Sequence, residues 1–260
     1  MDYIRKEHGY SLTRACGLID LSRSQYYYQS TKDDTTVREK VSQLAERFPT
    51  EGQDKIYWRI RNEGLPWNHK RIRRIYKQLL LSKRIRKRKR LASRIMVPLE
   101  QPLQPNHCWS MDFMHDTLIS GRKFRVLNII DDYNREALRV EPHFSIGSSR
   151  VVSILERLTF ERGKPSVIRV DNGPEFIAGA LNEWCSENNI RLQFIQPGKP
   201  NQNAYIERFN RSFRERVLDA WLFDDLSQVR ILSDEFMEDY NHHRPHEALG
   251  NVSPLKYMVK

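Results

Sequence analysis

Two carboxylates stand inside stretches that otherwise read as buried strand, and they limit what this chain can become. Asp112 interrupts the apolar run Cys108-Trp109-Ser110-Met111-Asp112-Phe113-Met114, and Asp171 ends Val167-Ile168-Arg169-Val170. An ionised carboxylate buried without a partner is costly, so each acid must meet either a cation or a metal ion. The surrounding pattern supplies the frame. Residues 108 to 118, 123 to 131 and 137 to 144 read as three strands joined by short turns, Ser120-Gly121 and Asp132-Tyr133-Asn134-Arg135, which predicts an antiparallel meander. A helix over Ser148 to Glu161 stopped by Gly163, a strand at 167 to 171, a helix at 174 to 188, a strand at 191 to 196 and a helix from about Gln202 follow. The order βββαβαβα predicts an α/β fold, a mixed sheet flanked by helices.

On that order a third acid, Glu207, falls about one turn into the last helix, with 35 residues between it and Asp171. Asp112 then lies within the first strand and Asp171 at the carboxyl end of the fourth, where open α/β sheets gather ligands. Three oxygen donors of this kind suit Mg²⁺ or Mn²⁺, and two such ions would clamp an in-line displacement at phosphorus. The alternative is that these acids pair with arginines such as Arg169 or Arg208. Spacing by itself is weak, because 33 acidic residues occur in 260; position within apolar strands carries the inference. Asp131 and Asp132 sit at a strand end and turn, where local hydrogen bonding is favoured over catalysis. Asp116 shares a strand face with Asp112 and is read as an exposed strand-end group or a support for it. Glu175 suits either the first turn of a helix or the edge of the metal cleft.

Charge is distributed unevenly. Residues 1 to 100 hold 24 Lys+Arg against 11 Asp+Glu, whereas residues 101 to 260 hold 20 against 22, so the front of the chain is the part built for a polyanion. Residues 1 to 35 look helix-turn-helix-like: Leu12, Ala15 and Cys16 have helical spacing, and Ser22 caps a second short helix. Residues 36 to 90 repeat the theme as a basic DNA-binding domain. Helices are predicted over Thr36 to Phe48, Asp54 to Asn62 and Asn68 to Leu81, with Lys70, Arg71, Arg73 and Arg74 on the polar face of the last. The run Lys83, Arg84, Ile85, Arg86, Lys87, Arg88, Lys89, Arg90 reads as a linker laid along DNA phosphates. Residues 91 to 105, with Pro98, Pro102 and Pro105, mark the boundary before a core at 106 to 219 and a helical extension at 220 to 260. Further DNA contacts are expected from Lys199 and Asn203 in the polar loop before the Glu207 helix, and from Arg211 and Arg214 at +4 and +7 from the glutamate. Cys16, Cys108 and Cys185 are odd in number and far apart, which fits reduced thiols in the cytoplasm and not a disulfide framework. Neither a membrane-spanning run nor a signal-peptide core is visible.

Five ordered blocks, Trp109 to Phe113, Asp131 to Glu136, Val170 to Phe176, Pro197 to Asn210, and Tyr240-Asn241 with Arg244-Pro245-His246, Leu249 and Pro254, resemble the OrfB-type transposases of the insertion sequence three family. The resemblance implies a ribonuclease-H-like catalytic core shared with retroviral integrases, with Asp112, Asp171 and Glu207 as metal ligands and Arg214 at the basic position after the glutamate. It implies 3′-end cleavage and strand transfer on double-stranded DNA, a homo-oligomer in a synaptic complex, and an upstream-frame protein of the same element as a partner. A structure-specific nuclease of the same fold and a non-catalytic DNA-binding regulator are the competing functions.

Overall fold

The computed structural model describes residues 2–29, 33–82, 101–177, 179–196 and 200–259. Lys83, Arg84, Arg86, Lys87, Arg88, Lys89, Arg90 and Lys199 lie outside them. The chain forms two compact units, Met1–Lys40 and Val41–Lys260. The smaller contains α1 (Asp2–His8), α2 (Leu12–Leu18), α3 (Arg23–Tyr27) and the start of α4 (Thr35–Arg47). Ser22 caps α3 as expected: its side chain accepts from the Gln25 backbone N–H while the Gln25 side chain accepts from the Ser22 N–H. Gly17 does not break α2, which runs one residue past it.

In the larger unit, α5 (Gln53–Asn62) and α6 (His69–Gln78) pack together, burying Ile56, Ile60, Ile72, Ile75 and Tyr76. Asn68 caps α6 by accepting from the Lys70 backbone N–H at 2.8 Å. The sheet follows: β1 (Cys108–Thr117), β2 (Lys123–Asp131), β3 (Ala137–His143), β4 (Val167–Val170) and β5 (Arg191–Phe194), in the spatial order β3-β2-β1-β4-β5. β1, β2 and β3 pair antiparallel as a meander, and β4 and β5 run parallel to β1, so strand directions are mixed as the sequence predicts. The long first strand is central because its side chains serve two cores. Trp109, Met111, Leu127 and Ile129 pack with Val151 and Leu155 of α7 (Ser148–Arg162) on one face. Met114, Val126, Ile130 and Val140 face the other way.

α8 (Pro174–Ile177) and α9 (Gly179–Glu187) lie between β4 and β5. After a short 3-10 turn at Pro200–Asn203, α10 (Ala204–Phe213) packs Ile206, Phe209 and Phe213 into the second core. A π-helical turn, Arg214–Leu218, extends α10, and α11 (Leu226–His242) adds Val229, Phe236 and Tyr240. Phe209, Phe213, Phe236 and Tyr240 meet largely edge to face, Phe209 and Tyr240 at 4.9 Å between centroids, contacts worth about 0.5–1.5 kcal/mol each beyond area burial. α12 (Pro254–Met258) closes the chain. Among the described residues no helix is long and apolar enough to cross a membrane, and the three cysteines are free and buried.

Candidate active site

Asp112 lies in mid β1, opposite Asn128 of β2. Its Oδ1 accepts from the Phe113 backbone N–H at 2.8 Å and its Oδ2 from Asn210 Nδ2 at 2.7 Å, while Asn128 Nδ2 donates to Asn210 Oδ1 at 2.7 Å. Sheet and α10 are thus joined beneath the carboxylate by a chain of two amides, both buried. Asp171 immediately follows β4 and accepts from the Gly173 N–H at 3.0 Å. The turn is tight at Gly173: a Cβ there would stand 3.0 Å from Asp171 Oδ1 and 3.3 Å from Glu175 Oε2. Glu207 projects, exposed, from the first turn of α10.

The parallel pairing of β1 with β4 and the packing of α10 on β1 bring the three acids into one electrostatic neighbourhood. Burial pushes the Asp112 carboxyl up to about 6; repulsion from Asp171 and from Glu207 adds to the rise, and the Phe113 and Asn210 hydrogen bonds oppose it. A carboxylate raised by two others is a site short of positive charge. The donors are all hard oxygens, the set that Mg²⁺ and Mn²⁺ take. Among the described residues, however, no three His, Cys, Asp or Glu side chains are gathered into a ready-made ion cage.

The neighbouring acids are accounted for differently. Asp131 does turn chemistry, accepting from the backbone N–H groups of Asn106 at 2.7 Å and Tyr133 at 2.8 Å. Asp132 is fully buried, where it accepts from Ser110 Oγ at 2.7 Å and pairs with Arg169 at 2.6 Å. Arg169 is therefore committed to Asp132 and is not the partner of Asp112. Glu175 sits in the first turn of α8 and pairs with Arg125, whose hydrogen bond holds its carboxyl below the usual range.

Several expected DNA contacts look different in place. Arg211 is exposed on α10. Arg214 is turned inward, donating to the His115 carbonyl at 3.0 Å and lying 3.4 Å from Asp116 and 3.5 Å from Asp219. It braces the end of β1 against the π turn, and Asp116 is its partner and not a free strand-end acid. Asn203 is buried at 3% exposure and makes no side-chain cap on α10. Lys70, Arg73 and Arg74 are exposed on α6, and Arg71 is half-buried. Asn128 and Asn210 escaped the sequence reading. The available signal was a lone amide inside the apolar run Phe124 to Ile130, which needs a partner as surely as the acids do.

A mixed five-stranded sheet in this order, with helices on both faces, is a ribonuclease-H-like fold. Integrase core domain families match residues 102–200 and 188–254. The chain is similar over its whole length to the "Insertion element IS407 uncharacterized 31.7 kDa protein" of Burkholderia multivorans, at 37% identity and covering 95% of that protein. It is 22% identical, over 95% of its length and 93% of the relative's, to the "Putative transposase InsK for insertion sequence element IS150" of Escherichia coli. Its fold resembles that in the simian T-cell lymphotropic virus intasome structure solved with PP2A regulatory subunit B56 gamma, with a TM-score of 0.55 at 18% identity, covering 85% of this chain and 74% of that one. The chain belongs to the OrfB-type transposases of the insertion sequence three family, and it is a DNA transposase.

Proposed function

We propose that Asp112, Asp171 and Glu207 together hold two divalent ions, Mg²⁺ or Mn²⁺, and that the chain uses them for 3′-end cleavage and strand transfer on double-stranded DNA. The observation that carries this reading is the raised Asp112 carboxyl, repelled by both other acids, in a site whose nearby arginines are spent elsewhere. Bound there, the ions would lower the pKa of an attacking water or 3′-hydroxyl and neutralise charge on the leaving oxygen. The chain's own residues orient the donors. Asn210, held by Asn128, fixes the rotamer of Asp112; the Gly173 N–H fixes Asp171; the first turn of α10 presents Glu207. Glu207, the exposed member, would complete the set of oxygen donors when ions bind.

Water attacks the phosphodiester at the element end, the strand breaks and a 3′-hydroxyl is released; that hydroxyl then attacks a phosphodiester of the second DNA, forming the new bond and expelling its 3′-oxygen. Lys70, Arg73 and Arg74 on α6 supply phosphate contacts away from the chemistry, and residues 41–82 serve as the docking part of the larger unit. Two chains, each acting on one end, would form the synaptic assembly. A strand-transfer assay with pre-cleaved ends tests the reading. Asp112→Asn, Asp171→Asn and Glu207→Gln should each lower cleavage and joining at least about 10³-fold, the loss of several kcal/mol of transition-state stabilisation, with DNA retention intact. Cleavage without joining would make the chain a nuclease, and binding lost in parallel with activity would make the acids structural.

A further inference from the structure

A second feature borders Glu207 and belongs to none of the machinery above. A cavity of roughly 910 Å³ opens between α5, α10 and the segment after α11, with Glu207 at its edge. Arg135 and Arg244, at 8% and 5% exposure, lie at the bottom and Lys55 is half-buried, whereas Arg208 and Arg211 are exposed among the lining residues together with the acids Asp54, Glu207, Glu215 and Glu247.

The deep cations are held in place from below. Arg244 Nη2 donates to Ser212 Oγ at 3.2 Å and Nη1 pairs with Glu51 at 3.5 Å. Arg135 lies over the Tyr205 ring at 3.3 Å. Their Nη1 atoms are closed off from solvent, so the two arginines act on the contents of the cavity through their charge. The local potential agrees. Lys55 is lowered to about 8 by burial and by Arg244, and His246 to about 3 by burial and by Arg244, Lys55 and Arg208. Trp58 of α5 adds a half-buried aromatic wall.

We propose that this cavity is a nucleotide subsite: it takes an unpaired nucleotide of a DNA strand running past Glu207, with the phosphodiester on Lys55 and Arg208, over the buried charges of Arg135 and Arg244, and the base against Trp58. Cationic floor and aromatic wall are the combination that holds single strands without reading sequence. The volume suits one nucleotide and its flanking phosphates. The proposal rests on the transposase reading for its choice of DNA over free nucleotide.

Photo-crosslinking tests it directly. A pre-cleaved end carrying a short single-stranded overhang with 5-iododeoxyuridine at successive positions is bound to the full chain and irradiated, and the adducts are located by mass spectrometry. Adducts at Trp58 or Tyr205 from one or two overhang positions are expected; adducts confined to other surfaces would overturn the subsite. Because crosslinking reads position, it succeeds or fails whether or not strand transfer occurs, which separates this proposal from the catalytic one. Lys55→Gln should weaken binding of the overhang substrate roughly tenfold while leaving blunt duplex binding unchanged. Equal loss for both substrates would reduce Lys55 to a general surface charge. Competition by dATP at the affinity of the overhang would reassign the cavity to a free nucleotide.

Discussion

Two groups of charged side chains in the larger unit follow opposite rules. Around Arg59, every charge is answered. The guanidinium donates to Glu51 at 2.7 and 2.9 Å and to Asp239 at 2.8 and 2.7 Å, lies 3.7 Å over the Phe48 ring, and shares Asp239 with Arg216 at 2.6 Å. Burial raises the carboxyls of Glu51 and Asp239, but the arginines outweigh it and both end below the ordinary range. Around Asp112 burial raises the carboxyl, and repulsion from Asp171 and Glu207 adds to the rise. The first group is answered within the chain; the second is the one to which the proposed ions would bind. Perturbed acids of the second kind mark function, and those of the first mark architecture.

Mutation should separate the two groups by the sign of the effect. The largest change is expected from Arg59→Ala, which leaves Glu51 only the longer pairs with Arg244 at 3.5 Å and Arg216 at 3.8 Å, and Asp239 with Arg216 alone; the loss should be about 3 kcal/mol in denaturant unfolding. A loss below about 1 kcal/mol would show the network to be dispensable. Asp112→Asn should act oppositely in metal-free protein, raising stability near pH 7.5 by at most about 2 kcal/mol. Here the folded carboxyl titrates above its unfolded value, so its stabilising contribution is complete below about pH 4 and is lost as pH rises through about 6. The advantage of Asp112→Asn should therefore vanish by pH 4. For Glu51 and Asp239 the sign reverses, and their contribution is lost as pH falls through their depressed values. The smallest effect concerns Asn210→Ala. Its amide lowers the Asp112 carboxyl, so removing it should move the Asp112 titration in metal-free protein, followed by NMR, upward from about 6 by a fraction of a pH unit, whereas a purely structural role would leave that titration in place.

Much of the fold could be read from period alone. The strands and the helices around them appear within a residue or two of their expected places, because alternation and helical spacing are local properties of sequence. Asp112 and Asp171 stand out for a related reason: each sits in an otherwise apolar strand-like run, whereas Glu207, exposed on α10, breaks no local rule. The Arg59 network is not legible, since Arg59 and Asp239 are separated by 180 positions and neither breaks a local rule. Nor does the +7 spacing of Arg214 from Glu207 announce its contacts with the His115 carbonyl and Asp116 on β1. Asn203 looked like part of a solvated loop because nothing local announces that packing will bury it.

The pairing of Arg59 with Asp239 also bears on how the molecule is made. During synthesis the guanidinium emerges long before its second carboxylate, and domains tend to fold as the ribosome delivers them. Products ending before α11 would carry Arg59 and Arg216 with Glu51 as their remaining acid, and would lack the Phe236 and Tyr240 rings that cover α10. Prematurely terminated chains should therefore be poor substrates for folding and good ones for proteolysis. A host cell would rarely accumulate fragments that hold Asp112, Asp171 and Glu207 without the remainder.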